Sequence, residues 1–186
     1  MIARRALVTL ALVALGVWMG GLVALGAIAA PVVFVMVPAP TSADAMTLVF
    51  RRFDMLAVGC VMTVLVVEMA LSRLRDRPIA RLDMARAGLA TLAAGAAIYV
   101  AVFVSPRIDA LHRGGAIRGL GPAGGELEAI HVIAERLGKL ELLLGIAVVA
   151  LHVATLSKSA PRAPGSGPAK GAAVAKNAID DPPTAS

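Results

Sequence analysis

Four long stretches of the chain are apolar, and shorter polar segments separate them. The apolar stretches cover residues 6–37, 54–72, 86–104 and 137–157. A helix needs about 20 mostly apolar residues to cross the hydrocarbon core of a bilayer. Because lipid offers no partners for backbone amide and carbonyl groups, such spans must be helical. The pattern therefore predicts an all-α integral membrane protein, a four-helix bundle over residues 1–157.

The first apolar stretch is too long for a cleaved signal peptide. It runs for 32 residues after Arg4 and Arg5, whereas the apolar part of a signal peptide has about 7–15 residues. We therefore expect it to remain as the first helix. Pro31 lacks an amide hydrogen and is expected to kink or end that helix.

Lysine and arginine residues are distributed unequally along the chain. Eleven fall in the N-terminal segment, the second connection and the C-terminal segment, against seven around the first and third connections. Basic residues concentrate on the cytoplasmic side of membrane proteins. Both termini are therefore predicted to be cytoplasmic. Residues 158–186, rich in Pro, Ala, Gly and Lys without periodicity, are predicted to form a disordered cytoplasmic tail.

Composition narrows the function classes. The chain is 59% hydrophobic and 16% charged, unlike an ordinary soluble domain. Its net charge of +6 is explained by topology, so no nucleic-acid partner is expected. No nucleophile, base and orienting residue can be assembled into a catalytic set, so we expect no enzyme and no cofactor. The expected location is a membrane, crossed several times, and the plasma (inner) membrane in a bacterial source.

The fourth apolar stretch is preceded by a charged segment. Residues 105–125 are rich in glycine and are expected to form a long connection, with the fourth helix beginning near residue 126. On a helical wheel His131 and Glu135 share one face, and Glu141 lies at its side. These three residues are predicted to line a polar pocket between helices.

Glu141 falls inside the apolar stretch. A carboxyl group within a membrane span is costly and is a functional candidate by default. The alternative is that Glu141 is neutral, or paired near the membrane surface.

Small residues predict where helices approach one another. Pairs of small residues four positions apart allow close helix packing in membranes. The predicted packing glycines are Gly16, Gly20 and Gly21 in the first helix, and Gly138 and Gly145 in the fourth.

The second helix carries a methionine stripe and one acid. Met55, Met62 and Met69 recur every seven residues and share a face. Thioether sulfur suits Cu(I), but methionine is also an ordinary filler of apolar gaps. Glu68 is expected to pair with Arg73 or Arg75.

Several short motifs resemble a known family. They are "WMGG" at 18–21, "AAP" at 29–31, "FRRFDML" at 50–56, Pro106, and "HVIAERLGKLELLLG" at 131–145. In this order they resemble the transmembrane-protein-205-like domain of unknown function. In that family the last helix carries a pattern that matches His131, Leu137 and Glu141 here. The resemblance covers about residues 6–156 and implies a four-helix integral membrane protein without an established activity.

Two functional hypotheses follow. The first is a non-enzymatic membrane protein that acts in binding, assembly or membrane physiology. The alternative is a small metal-ion or solute transporter with methionine, histidine and glutamate contacts between its helices. The expected partners are the lipid bilayer and either further copies of the chain or another membrane protein.

Overall fold

Four long helices make up the computed structural model of this protein. It describes residues 2–74 and 80–157, the last two of these by their backbone alone. The helices are α1 (Ile2–Met36), α2 (Thr41–Arg73), α3 (Arg81–Arg113) and α4 (Gly121–Ser157). All four are long and apolar enough to cross a membrane, as predicted. The predicted tail, residues 158–186, lies outside the described residues.

The helices extend beyond the apolar stretches, most clearly around the third connection. Residues 105–125 were expected to be irregular, but α3 continues through Ser105–Arg113 and α4 begins at Gly121. The connection between α3 and α4 is therefore residues 114–120. The expectation was wrong because Pro106 lies at the start of a helical turn, where its missing amide hydrogen is tolerated.

Pro31 in α1 and Pro106 in α3 each follow a widened, π-helical turn. In α1 this turn is Ala24–Ala29, ahead of Pro31, and in α3 it is Val100–Val104, ahead of Pro106. At the end of each turn an amide donates to the carbonyl oxygen five residues back, from Ala30 to Leu25 in α1. A proline ring crowds the carbonyl four residues before it, and a π turn relieves that crowding. The helix therefore continues past Pro31 to Met36 and does not end there.

The four helices form a ring around a core of small and medium-sized side chains. Each helix packs on its two neighbours in the ring, α1 on α2, α2 on α3, α3 on α4, and α4 on α1. In α3 the buried face is made of alanines, which allow α2 and α4 to approach closely. The central core residues are Leu15, Trp18, Phe53, Ala57, Val61, Val64, Ala90, Ala93, Ala94, Ala97, Leu144 and Val148.

Much of the apolar surface faces outward. In the most apolar 18-residue segment of each helix, only 28–39% is buried inside the chain. Large side chains such as Val35, Phe103 and Leu143 are more than half exposed. A soluble protein rarely exposes so large an apolar surface, whereas a lipid bilayer covers it. The fold is therefore that of a multi-pass membrane protein.

Candidate functional site

A buried ion network joins three helices near one end of the bundle. The Arg86 guanidinium donates from Nε to Glu68 Oε1 at 2.8 Å and from Nη2 to Glu68 Oε2 at 3.0 Å. Nη1 of the same guanidinium donates to Thr155 Oγ1 at 3.1 Å. His152 Nε2 lies 3.0 Å from Glu68 Oε1. We call Glu68, Arg86, His152 and Thr155 the Glu68 network.

The Glu68 network is almost completely closed to solvent. Glu68, Arg86 and His152 are 7%, 2% and 0% exposed. Arg86 uses two donors in a fork that matches both carboxylate oxygens, the strongest geometry for such a pair. Because Glu68 lies on α2, Arg86 on α3 and His152 on α4, the network fixes the relative positions of three helices.

The partner of Glu68 differs from the one the sequence predicted. Glu68 pairs with Arg86 on the next helix, whereas Arg73 is exposed at the end of its own helix. Arg75 lies outside the described residues. The prediction used sequence proximity, but the Glu68 side chain lies on the buried face of α2, which Arg73 does not share.

A second polar group lies in the middle of the bundle and takes one residue from each helix. Glu141 of α4 lies beside the Trp18 indole of α1 and within electrostatic range of Asp54 on α2. Asp54 in turn lies beside the hydroxyl of Ser105 on α3. We call Trp18, Asp54, Ser105 and Glu141 the central cluster.

The central cluster is half buried at Asp54 and Ser105, fully buried at Trp18 and Glu141, and incompletely paired. Glu141 is 3% exposed and Trp18 is 1% exposed. Trp18 Nε1 and Asp54 Oδ2 have no regular hydrogen-bond partner among the described residues, and Glu141 forms no ion pair with a basic side chain of residues 2–74 or 80–157. Buried polar groups are normally satisfied, so each exception needs an explanation. The central cluster therefore has unused capacity to bind a proton, a cation or a hydrogen-bonding solute.

The structure does not bring His131, Glu135 and Glu141 together in one pocket. His131 and Glu141 are separated by ten residues, about 15 Å of helical rise. Glu135 is exposed and forms an ion pair with Lys139, with Nζ 2.6 Å from Oε1. A helical wheel assigns a common face but ignores depth along the helix, so only Glu141 of the three reaches the interior cluster.

His131 belongs to a third group, near the connection between α3 and α4. Its Nδ1 lies 2.8 Å from the carbonyl oxygen of Leu127, to which it donates. Its ring stacks on that of His112, with centroids 5.8 Å apart. Nδ1 of His112 lies 3.0 Å from Thr47 Oγ1 on α2. The two histidines thus tie the ends of α2, α3 and α4 together.

Ion pairs surround this end of the bundle. Arg51 and Arg113 both reach Asp109, at 3.2 Å and 3.1 Å. Arg118 in the connection pairs with Glu128, and this carboxylate raises the pKa of the Arg118 guanidinium.

Among the described residues no group of three or more histidine, cysteine or acidic side chains has the arrangement of a metal site.

The five predicted packing glycines have different surroundings. A side chain at Gly21 would meet the Phe53 ring, and one at Gly145 would meet Met19. A side chain at Gly16, Gly20 or Gly138 would meet nothing within 4 Å. Of these five glycines, Gly21 and Gly145 are therefore the two that allow close packing inside this chain.

The methionine stripe of α2 faces outward. Met55, Met62 and Met69 are 63%, 47% and 52% exposed. They lie outside the buried core of the bundle, where the metal-transporter hypothesis expected contacts between helices.

Several residues of the two interior groups were missed by sequence reasoning. The sequence patterns gave no functional role to Trp18, Asp54, Arg86 or Ser105. One feature of the sequence could have identified Arg86. It is a charged residue at the edge of an alanine-rich span, and charges in such positions normally pair inside a helical bundle.

The fold and these two polar groups define a helical membrane protein with a few charged and polar side chains inside an otherwise apolar bundle. The domain of unknown function DUF4149 matches residues 13–116, more than half of the chain, and the chain belongs to this family. The match includes Trp18, Asp54, Arg86 and Ser105. No curated protein and no solved structure matches the chain.

Proposed function

We propose that this chain is a non-enzymatic, multi-pass membrane protein that binds a proton or a small cation at the central cluster. The observation that supports the proposal is the position of Glu141, which is 3% exposed and has Trp18 and Asp54 as its polar neighbours. Glu141 and Asp54 lie within electrostatic range of each other. The charge of Arg51 acts on Asp54, but no basic side chain among the described residues acts on Glu141, and such a carboxyl group beside a second one attracts a positive charge. A carboxyl group within a span is expensive, and function is the usual reason for its presence.

The two interior groups have different roles in this proposal. In the Glu68 network the opposite charges of Glu68 and Arg86 pair directly, so the network holds the helices in place. Only the ring nitrogens of His152 lack a regular hydrogen bond in this network, among the described residues. Glu141 of the central cluster has no opposite charge of this kind among the described residues, so this cluster is the part that takes up a positively charged ligand. Fixed helix positions keep Trp18, Asp54, Ser105 and Glu141 at the same level, as a binding site requires.

The resemblance seen in the sequence supports a more specific assignment within the family. We infer a transmembrane-protein-205-like protein, with both termini cytoplasmic and the lipid bilayer as its surroundings. Trp18, Asp54 and Glu141 all lie within the motifs that carry this resemblance, "WMGG", "FRRFDML" and "HVIAERLGKLELLLG". Further copies of the chain or another membrane protein are the expected partners, and neither nucleic acid nor a cofactor has a role.

The fluorescence of Trp18 tests the proposal directly, because Trp18 is the only tryptophan of the chain. The emission of the purified protein in an uncharged detergent is recorded while pH is varied across the range in which carboxyl groups and histidines titrate. The titration is repeated with sodium, potassium and magnesium chloride against choline chloride. We expect the emission to change with pH or with one of the cations, and Glu141→Gln to abolish that change.

The matched control is Glu135→Gln, which changes an exposed glutamate of the same helix. It should titrate like the wild type. Emission that ignores both pH and cations, or that responds equally in Glu141→Gln, would overturn the proposal.

A further inference from the structure

A pocket on the side of the bundle leads to the central cluster. It has a volume of about 320 Å³ and is lined by Arg51, Asp54, Met55, Val58, Ala101, Ser105 and Pro106. The first four residues lie on α2 and the others on α3, so the pocket lies between these two helices. It opens to the outside of the bundle, on the side of Met55, which is exposed.

The π turn of α3 contributes to the shape of this pocket. Ala101 belongs to the turn Val100–Val104, and Ser105 and Pro106 follow it directly. A π turn displaces side chains from their regular helical positions and is common at functional sites. Because Ala101 is small, space remains opposite Met55 and Val58.

Two charged residues line the pocket, and the charge of Arg51 acts on Asp54. The Arg51 guanidinium already has a partner, since Nη1 lies 3.2 Å from Asp109 Oδ2. Asp54 has the Ser105 hydroxyl beside it, but its Oδ2 has no hydrogen-bond partner among the described residues. The unsatisfied group of the pocket is therefore an acid. A group that brings a positive charge and several hydrogen-bond donors would satisfy it.

The remaining lining is apolar. Met55 is 63% exposed on the outer side of α2, and Val58 and Ala101 extend the apolar surface into the pocket. A ligand that enters from the bilayer would place its hydrocarbon part against these residues. Pockets of this size bind small organic molecules through apolar walls and a few fixed polar groups.

We propose that the pocket between α2 and α3 binds an amphiphilic primary amine, with the ammonium group at Asp54 and Ser105 and the apolar stem against Met55, Val58 and Ala101. The amine enters sideways from the bilayer. This inference rests on the proposed function, because Asp54 belongs to both sites, and it names the class of cation that reaches the central cluster.

Binding of radiolabelled octylammonium to the full chain tests this inference. The protein is placed in phosphatidylcholine nanodiscs, and binding to empty nanodiscs is subtracted. We expect saturable binding that octanol and octanoate do not displace. Asp54→Asn should weaken the affinity at least about tenfold, the loss expected when a charged hydrogen bond is removed. Asp44→Asn, which changes another acid of α2, should leave the affinity unchanged.

Ala101→Leu provides a second variant that keeps Asp54. It fills the apolar part of the pocket and should also weaken octylammonium binding, while circular dichroism and gel filtration confirm that each variant is folded. Adding phosphatidylethanolamine to the nanodiscs identifies the source of the amine. Competition indicates a lipid headgroup, and its absence indicates a dissolved amine.

Non-saturable binding, displacement by octanol, or unchanged affinity in Asp54→Asn would overturn the inference. These results are independent of the Trp18 titration. If octylammonium fails to bind while Glu141 still controls the Trp18 emission, the central cluster binds a proton or an inorganic cation and the pocket inference alone fails.

Discussion

Arg86 and Glu68 form a two-pronged ion pair inside a helical bundle whose surface is apolar. The paired distances are 2.8 Å and 3.0 Å, and the two side chains are 2% and 7% exposed. The pair connects α2 to α3, and His152 and Thr155 connect it to α4. Each charge compensates the other, so the pair stabilises the bundle only while both side chains are present.

Removing one partner should therefore lower the free energy of unfolding more than removing both partners does. Arg86→Met leaves the Glu68 carboxylate buried beside a neutral side chain. We expect a loss of about 3–5 kcal/mol in the free energy of unfolding, as for other buried pairs that lose one member. The double variant Glu68→Leu with Arg86→Met should recover part of this loss. Unfolding in mixed detergent micelles, followed by circular dichroism, measures both values.

Arg81→Met is the matched control, because Arg81 lies in the first turn of the same helix and is exposed. It should change the unfolding free energy little. Equal losses in Arg86→Met and Arg81→Met would show that the buried pair does not hold the helices together.

The glycines of α1 should respond differently to alanine. Gly21→Ala places a methyl group against the Phe53 ring, and overpacking of this kind costs about 1–3 kcal/mol. Gly16→Ala meets nothing within 4 Å and should leave the unfolding free energy unchanged or slightly higher. Thermal unfolding of the two variants side by side measures the difference. A loss in Gly16→Ala as large as that in Gly21→Ala would contradict the packing described here.

The four spans could be predicted from the sequence because apolar length is a local property. The ends of the helices could not be predicted in the same way. Local propensity is a weak guide there, because packing decides how far a helix continues. Gly121, Gly124 and Gly125 were interpreted as loop residues, yet α4 includes all three. His112 was placed in a connection for the same reason, and it lies in α3.

The buried polar groups were harder to predict because they depend on how the helices are arranged. Glu141 was identified from its own position within an apolar stretch. Its neighbours Trp18 and Asp54 come from α1 and α2, and no spacing along the chain relates them to Glu141. Likewise Glu68 and Arg86 are 18 residues apart and meet only because α2 and α3 are adjacent.

The orientation in the membrane remains a prediction from charge, and cysteine labelling tests it. The only native cysteine, Cys60, is buried and is first replaced by alanine. Leu120→Cys lies directly before α4, and Arg81→Cys begins α3, so the two sites lie at opposite ends of the bundle. A maleimide that cannot cross membranes should label Leu120→Cys in intact cells and Arg81→Cys only after permeabilisation.

Both positions are exposed, so both should react fully in detergent, which serves as the control for reactivity. The reverse pattern in intact cells would show that the termini are not cytoplasmic.

We expect Glu141 to serve binding and not stability, and the unfolding free energy of Glu141→Leu tests this role most directly. Leucine at this position removes a buried carboxyl group that has no ion pair among the described residues, so we predict a stability equal to or above that of the wild type. Leu144→Ala, a core truncation on the same helix, calibrates the measurement and should lose about 2–5 kcal/mol. A loss in Glu141→Leu comparable to that in Leu144→Ala would contradict the account, because it would make Glu141 part of the structural framework.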